Sequence, residues 1–266
     1  MTLSYWNKQF QFSKLLPDFQ NCLDGMQTRS ENIADVLSLQ RHAYGRHPRQ
    51  WVELSGQPTR SNVLPVFIHG GYWRALEAKR HRFVLPPLKT LNGAVANVEY
   101  RLMPEVGLKD IVEDACAALQ LLKQQTGCQL FPIGHSAGGH LAVMAARLLP
   151  DDVVGAMAIS GLYELEPLHW SFLRDEIGLT TDSFEGCEPQ KLWAGHDASH
   201  LVLAVGGNET AEFHRQAQVF AASRGAQVMQ VPGAHHMSVL DDLAQTDGVL
   251  HEVLRELDPF KADRGL

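Results

Sequence analysis

The sequence contains few cysteines, and none is arranged for metal binding or redox chemistry. Only four occur in 266 residues, at Cys22, Cys116, Cys128 and Cys187, and no pair has C-x-x-C spacing. A chain of this length buries a core large enough to be stable without disulfide bonds. We therefore predict four reduced, mostly structural thiols and a location in the cytoplasm.

The sequence also lacks long apolar runs and an excess of positive charge. No apolar run approaches the ~20 residues of a membrane-spanning helix, and the first residues lack the layout of a signal peptide. The net charge is −7 and the pI about 6.0, which argues against a nucleic-acid-binding surface. No dinucleotide or phosphate-loop motif is present, so no cofactor is predicted. The predicted partner is a small molecule rather than nucleic acid or a membrane, and a homodimer stays an open alternative.

The segment Gly134–Gly138 has the pattern G-x-S-x-G. It lies between an apolar run at 129–133 and a helix-favouring run at 139–149. A strand, this pattern and a helix together predict a nucleophile elbow, in which Ser136 adopts strained backbone angles in a very tight turn. Small residues are needed there because the strand and the helix pass close to the turn. Ser136 is the predicted nucleophile, and a chance occurrence of the pattern is the alternative.

Apolar, strand-like runs alternate with helical segments along most of the chain. The predicted strands cover about 49–54, 62–68, 94–100, 129–133, 152–160, 200–205 and 226–231. The predicted helices cover about 110–125, 139–149, 212–224 and 240–257. This alternation predicts one α/β domain over residues 1–266, with a mostly parallel central sheet and helices on both faces. The strand at 49–54 is expected to be antiparallel.

Two regions do not follow this rhythm. Residues 1–40 are polar with scattered aromatics, and we predict an N-terminal arm packed on the main body. Residues 161–198 contain several aromatics but no clear strand, which predicts a small cap over the edge of the sheet where ligand sites form. Each aromatic there could equally be a packing residue. Pro132 lies inside a predicted central strand, and a bulge would accommodate it.

A serine nucleophile needs a base and an acid from elsewhere in the chain. In this type of fold the base follows the last strand, where His235 and His236 both occur. Glu209 is the only carboxylate in the turn after the preceding strand, although it could also be a charge that stabilises a helix N-terminus. Asp197 is a weaker candidate because it precedes that strand. The order serine, acid, histidine is satisfied.

A stabiliser for the oxyanion is predicted after the strand at 62–68. The segment His69–Trp73 reads H-G-G-Y-W, and its glycines leave a bare backbone that can turn amides inward. Hydrolases of this type use the amide after the nucleophile together with amides from such a loop. We predict the backbone N–H groups of Gly71, Tyr72 and Ala137 as the oxyanion hole. An ordinary tight turn is the alternative.

Three segments together carry a family resemblance. The H-G-G-x-W motif, the G-H-S-A-G-G-H motif and residues 207–216 resemble the α/β-hydrolase kynurenine formamidases (arylformamidases) and their bacterial esterase relatives, over about residues 40–260. This resemblance implies Ser136 as nucleophile, Glu209 as acid and His236 as base. His236 is favoured over His235 because the family's base precedes a bulky apolar residue, here Met237. The family often has aspartate as the acid, so Glu209 is a departure.

The resemblance also implies an activity. It points to hydrolysis of a small acyl amide or ester, in particular of N-formylkynurenine to kynurenine and formate. A general short-chain carboxylesterase or thioesterase is the alternative. By analogy, Trp73, His135 and Trp170 are tentative substrate-binding residues.

Two functions of other classes remain open. One is a ligand-binding protein that has the hydrolase fold without catalysis, which the intact set of predicted residues argues against. The other is a metal enzyme, suggested by His196 and His200 at helical spacing. No third ligand at a suitable spacing follows them, so no metal is predicted.

Overall fold

The computed structural model describes residues 2–59, 61–222 and 224–261. The strands are β1 (Gln40–Ala43), β2 (Trp51–Gly56), β3 (Val63–Ile68), β4 (Ala94–Val98), β5 (Gln129–His135), β6 (Ala156–Ile159), β7 (Leu201–Gly206) and β8 (Gln227–Val231). They form one eight-stranded sheet in the order β1-β2-β4-β3-β5-β6-β7-β8. The β1–β2 and β2–β4 pairs are antiparallel and the other pairs are parallel. The predicted α/β-hydrolase fold with a mostly parallel sheet is confirmed.

Helices cover both faces of this sheet. They are α1 (Leu3–Phe10), α2 (Phe12–Leu15), α3 (Phe19–Ser30), α4 (Ile33–Val36), α5 (Leu85–Asn92), α6 (Leu108–Thr126), α7 (Ala137–Leu148), α8 (Glu166–His169), α9 (Leu173–Ile177), α10 (Pro189–Leu192), α11 (Ala211–Ala222), α12 (Val239–Leu243) and α13 (Val249–Glu256). Three short 3-10 helices lie at Ala78–Val84, Thr181–Phe184 and Asp258–Phe260. In the described part of the chain, no helix is both long and apolar enough to cross a membrane.

The strand β3 shows why the sheet has two cores. All six of its residues are buried, as in a strand covered on both faces. Leu64, Val66 and Ile68 pack in one hydrophobic cluster with residues of α6, α7 and α11. Val63 and Phe67 pack in the other cluster with residues of α5, α12 and α13. Successive side chains of a strand point to opposite faces, so one continuous apolar run supplies both cores.

Pro132 is accommodated by the segment beside β5 rather than by a bulge in β5 itself. The N–H and C=O groups of Leu130 bond to Asp152 and Val154, so the nitrogen of Pro132, two residues on, faces the same side. The pairing there runs from Leu130–Val153 to Ile133–Met157, which is three steps along β5 and four along the neighbouring segment. The extra residue interrupts the ladder where proline has no N–H to donate.

Several predicted boundaries differ from the structure. Residues 2–40 hold four helices and the start of β1, and the predicted strand at 152–160 is regular only in β6. The predicted helix at 240–257 is two helices, because the carboxylate of Asp242 accepts the N–H groups of Val249 and Leu250 at 3.0 and 2.8 Å and begins α13 there. The predictions for residues 1, 60, 223 and 262–266 lie outside the described residues.

Candidate active site

Ser136 lies in the turn between β5 and α7, with φ +56° and ψ −119°. A Cβ on Gly134 would lie 2.0 Å from the carbonyl oxygen of Gly138, and one on Gly138 would lie 2.0 Å from that of Ile68. Only glycine fits at these positions, as the motif predicts. The N–H of Ser136 donates to the carbonyl of Ile159 on β6 at 2.8 Å, which fixes the turn to the sheet. The strand, turn and helix of a nucleophile elbow are therefore present.

Glu209 and His236 are brought together by the loops after β7 and β8. The N–H of Asn208 donates to the carbonyl of Ala234 at 2.8 Å, which ties the two loops to each other. The Nδ1 atom of His236 lies 3.2 and 3.1 Å from the two carboxylate oxygens of Glu209. The side chain of Glu209 is fully buried and that of His236 is 4% exposed. A charge-assisted contact in such a site is strong because water does not screen it.

Ser160, at the end of β6, also holds Glu209. Its hydroxyl donates to the Oε1 atom of the Glu209 carboxylate. The backbone of Ser160 has φ +49°, an uncommon conformation for a residue other than glycine. Sequence reasoning did not identify this residue, and the only signal was its position directly after a buried strand.

His235 points away from this pair. Its Nδ1 atom accepts the N–H groups of Met237 and Ser238 at 3.2 Å, and its Nε2 atom lies 3.4 Å from Asp18. Asp197 is also elsewhere, where its carboxylate accepts the hydroxyl of Ser199 at 2.6 Å. Of the open alternatives, the structure places His236 and Glu209 in contact.

Ser136 and His236 lie at a common cavity of about 240 Å³. Ser136, His236, Gly71 and Tyr72 all line it. Its other walls are mainly apolar and are formed by Phe10, Phe12, Phe19, Leu23, Ala75, Leu76, Phe172 and Met237. Ser13, Arg74, His81, His135 and Glu176 complete the lining. Mainly apolar walls with a few polar groups are typical of a small-molecule site.

The predicted oxyanion loop, residues His69–Trp73, is the turn after β3. Gly71 has φ +114°, and its carbonyl accepts the N–H groups of Arg74 and Ala75 at 3.1 and 3.0 Å. The amides of Gly71, Tyr72 and Ala137 donate to no acceptor within residues 2–59, 61–222 and 224–261. They are therefore available to bind an oxyanion beside Ser136.

A buried ion network holds this loop. The Nδ1 atom of His69 lies 2.7 Å from the carbonyl of Gly70, and its Nε2 atom lies 3.3 Å from Glu99. Arg49 pairs with the same carboxylate, and the N–H of Ala78 donates to it at 2.8 Å. Burial alone would raise the pKa of Glu99, but His69 and Arg49 outweigh it and hold this pKa below its usual value. Sequence reasoning did not identify this network.

The N-terminal helices cover the site. The ring of Phe12 stacks on His236 with centroids 3.9 Å apart and planes 7° apart. The hydroxyl of Tyr72 donates to the carbonyl of Phe10 at 2.8 Å, and that of Thr210 donates to the carbonyl of Gln9 at 2.9 Å. The predicted arm thus contacts both the oxyanion loop and the loop of the acid, and it forms part of the cavity wall.

The three tentative substrate-binding residues have different outcomes. His135 lines the cavity, and its Nε2–H donates to the carbonyl of His236 at 2.7 Å. Burial lowers the pKa of His135 well below its usual value, so this imidazole is neutral and acts as that donor. Trp73 and Trp170 are not at the cavity. Trp73 is fully buried and packs against His140. The backbone has positive φ angles at Tyr72 and Trp73, and this turn directs the indole of Trp73 into the core.

The aromatics of the insertion at 161–198, predicted as a cap, lie in different places. Phe172 lines the cavity, but Trp170 is 45% exposed and lies outside it. Trp193 is buried in the core, where its Nε1–H donates to the carbonyl of Val143 at 3.2 Å. Phe184 is also buried. Trp193 and Phe184 are therefore packing residues, which was the alternative interpretation for each aromatic.

Possible metal ligands lie elsewhere. His196 contacts Arg147, with 2.7 Å between Nε2 and Nη2. Within the described part of the chain, one group of three potential ligands is close enough to share an ion, namely Asp18, Cys22 and His235. Burial and the neighbouring Asp18 raise the pKa of Cys22 to about 11, so it is a protonated thiol at neutral pH and a poor ligand.

Comparison with known proteins gives the same fold class as the structure, the α/β hydrolases. Residues 65–248, more than half of the chain, match the model of a family described as the alpha/beta hydrolase fold, and the chain belongs to this family. In sequence it is 23% identical to the kynurenine formamidase of Salmo salar over 272 residues, covering 96% of this chain and 92% of the relative. It is 34% identical to an acetyl-hydrolase of Streptomyces hygroscopicus over 111 residues, covering 40% and 36%.

A solved structure supports the same fold. A protein from Silicibacter sp. TM1040, provisionally named a thioesterase, superimposes with a TM-score of 0.82 at 23% identity. The match covers 90% of this chain and 94% of that one. The predicted resemblance to kynurenine formamidases and esterases of this fold is confirmed.

Proposed function

We propose that this protein is a serine hydrolase that removes a small acyl group, with N-formylkynurenine and related aryl formamides as its substrates. One observation carries the proposal. The Nδ1 atom of His236 faces the buried carboxylate of Glu209 at 3.1 Å, and His236 shares a cavity with the strained Ser136. A base, its orienting acid and a serine of an elbow that lines the cavity are the parts that acyl transfer through serine requires.

The proposed reaction has two halves. His236 takes the proton of the Ser136 hydroxyl through Nε2 while Oγ attacks the carbonyl carbon of the substrate. The oxygen of that carbonyl becomes an oxyanion and accepts hydrogen bonds from the amides of Gly71, Tyr72 and Ala137. His236 then gives the proton to the leaving nitrogen or oxygen, and the bond from the acyl carbon to the leaving group breaks. In the second half, His236 takes a proton from water as its oxygen attacks the acyl carbon, and returns this proton to Oγ of Ser136 as the bond from Oγ to that carbon breaks and the acid leaves.

The neighbours of His236 support this role. With Nδ1 bonded to Glu209, its Nε2 atom is left for the proton transfer. Phe12 and Phe213 pack against the ring, with centroids 3.9 and 4.7 Å away, and restrict its tilt. His135 donates to its carbonyl and fixes its backbone. The imidazole is therefore preorganised for catalysis.

The formamide substrate is supported by the relatives and by the cavity. Kynurenine formamidases match almost the whole chain. The cavity of about 240 Å³ has aromatic walls suited to an aryl leaving group. A short-chain esterase or thioesterase is the second candidate, because the structure with a TM-score of 0.82 bears a thioesterase name and an acetyl-hydrolase is among the relatives.

The test compares N-formyl-L-kynurenine with p-nitrophenyl acetate and with longer esters. We expect efficient release of formate that is lost in Ser136→Ala, with a decline in turnover as the acyl chain lengthens. Ester cleavage without any turnover of the formamide would reject the formamidase assignment and leave the esterase. Normal turnover by Ser136→Ala would reject both.

A further inference from the structure

Two oppositely charged side chains line the mainly apolar cavity. Arg74 follows the oxyanion loop, and Glu176 lies in α9 of the insertion. A guanidinium nitrogen of Arg74 pairs with the carboxylate of Glu176, and both side chains line the cavity. They remain partly open, with 32% and 42% of each side chain exposed. The serine hydrolase chemistry proposed above uses neither of them.

One nitrogen of the Arg74 guanidinium group lacks a partner. This Nε atom is buried and has no hydrogen-bond acceptor among the described residues. An unpaired buried donor is costly, and a guanidinium presents Nε and Nη as a fork that matches a carboxylate. The guanidinium carbon lies 5.8 Å from the ring centre of Phe172, another lining residue. Since Nε is closed off from solvent and Nη2 faces Glu176, a ligand in the cavity meets the exposed part of the guanidinium group.

The sign of the charges restricts the ligand. A lone anion at Arg74 would be repelled by Glu176, and a lone cation at Glu176 would be repelled by Arg74. A ligand that carries both charges close together is complementary to the pair and leaves no charge unbalanced. An α-amino acid group has this arrangement, with a carboxylate and an ammonium on one carbon.

We propose that Arg74 and Glu176 are specificity-determining residues that bind an α-amino acid zwitterion on the leaving group. Arg74 binds the carboxylate through the exposed part of its guanidinium group, and Glu176 binds the ammonium group. The aryl ring then lies against the aromatic walls, between this pair and Ser136. The inference rests on the proposed function because it takes the cavity to be the substrate site.

The test is calorimetric binding of two products, so that it does not depend on turnover. L-kynurenine carries the zwitterion, and ortho-aminoacetophenone has the same aryl ketone without it. We expect wild type to bind L-kynurenine at least about tenfold more tightly than the neutral ketone. The preference should disappear in Arg74→Gln, and the KM for N-formyl-L-kynurenine should rise with a smaller change in kcat. In Glu176→Gln, binding of L-kynurenine should weaken, whereas binding of deaminated kynurenine should not.

The matched control is Arg29→Gln. Arg29 pairs with Asp241 at 2.7 Å and lies 4.1 Å over the ring of Phe83, and it is not at the cavity. We expect this variant to keep the preference for the zwitterion. Equal binding of the two compounds by wild type would overturn the inference. An equal loss for both compounds in Arg74→Gln would also overturn it, because it would assign Arg74 to tethering the loop. Failure of the proposed function would instead show as turnover that survives Ser136→Ala.

Discussion

Replacement of Glu209 by glutamine should remove most of the activity and leave the fold intact. Glutamine keeps the shape of the side chain but removes the charge that faces Nδ1 of His236 at 3.1 and 3.2 Å. In the proposed reaction His236 becomes an imidazolium, and the fully buried carboxylate is the group that balances its charge. Loss of such an acid lowers kcat by roughly a hundredfold to ten-thousandfold, or about 3–5 kcal/mol of transition-state stabilisation.

The assay is kcat and KM for p-nitrophenyl acetate, with thermal unfolding measured on the same samples. Glu53→Gln is the matched control. Glu53 is another buried carboxylate, which lies on β2, pairs with Arg82 and does not line the cavity. Both variants should lose stability, but only Glu209→Gln should lose turnover. A folded Glu209→Gln protein with kcat within threefold of wild type would refute the reasoning.

Three further predictions concern the surroundings of the site. Ser160→Ala removes the hydroxyl that donates to Glu209, and we expect roughly a tenfold fall in kcat, measured beside an unchanged secondary-structure spectrum. Phe12→Ala removes the ring stacked on His236, so kcat should fall about tenfold, whereas Phe12→Leu should retain more activity. Burial lowers the pKa of His140 to about 4, so between pH ~6.5 and ~4 the unfolded chain binds a proton that the native state does not. The free energy of unfolding should therefore fall by about 2 kcal/mol from pH 7 to pH 5 through this group, and denaturant titration of His140→Gln should lack that component.

The elbow and the order of the catalytic candidates were predictable because local rules determine them. Gly134 and Gly138 are dictated by the close approach of backbone oxygens, and a short motif records this requirement. Glu209 and His236 follow successive parallel strands, whose carboxyl ends meet at one edge of the sheet. Chain order alone could therefore place them together, although it left His235 and Asp197 as alternatives.

The rest of the site depends on long-range packing that the sequence does not encode locally. Phe12 reaches His236 only because the N-terminal helices fold back across the sheet edge. The direction of Trp73 depends on two successive positive φ angles in the oxyanion loop, and no propensity rule predicts them. Trp170, predicted as a substrate contact, lies outside this cavity, whereas Phe172, two residues later, lines it.

The most direct test of the account is labelling with a fluorophosphonate, an electrophile that reacts preferentially with activated serine hydroxyls. After labelling, the protein is digested and the modified residue is identified by mass spectrometry. We predict stoichiometric modification of Ser136 that is abolished in Ser136→Ala and strongly slowed in His236→Gln. A folded wild-type protein that is not labelled, or is labelled at another serine, would contradict the assignment of this cavity as the active site of a serine hydrolase.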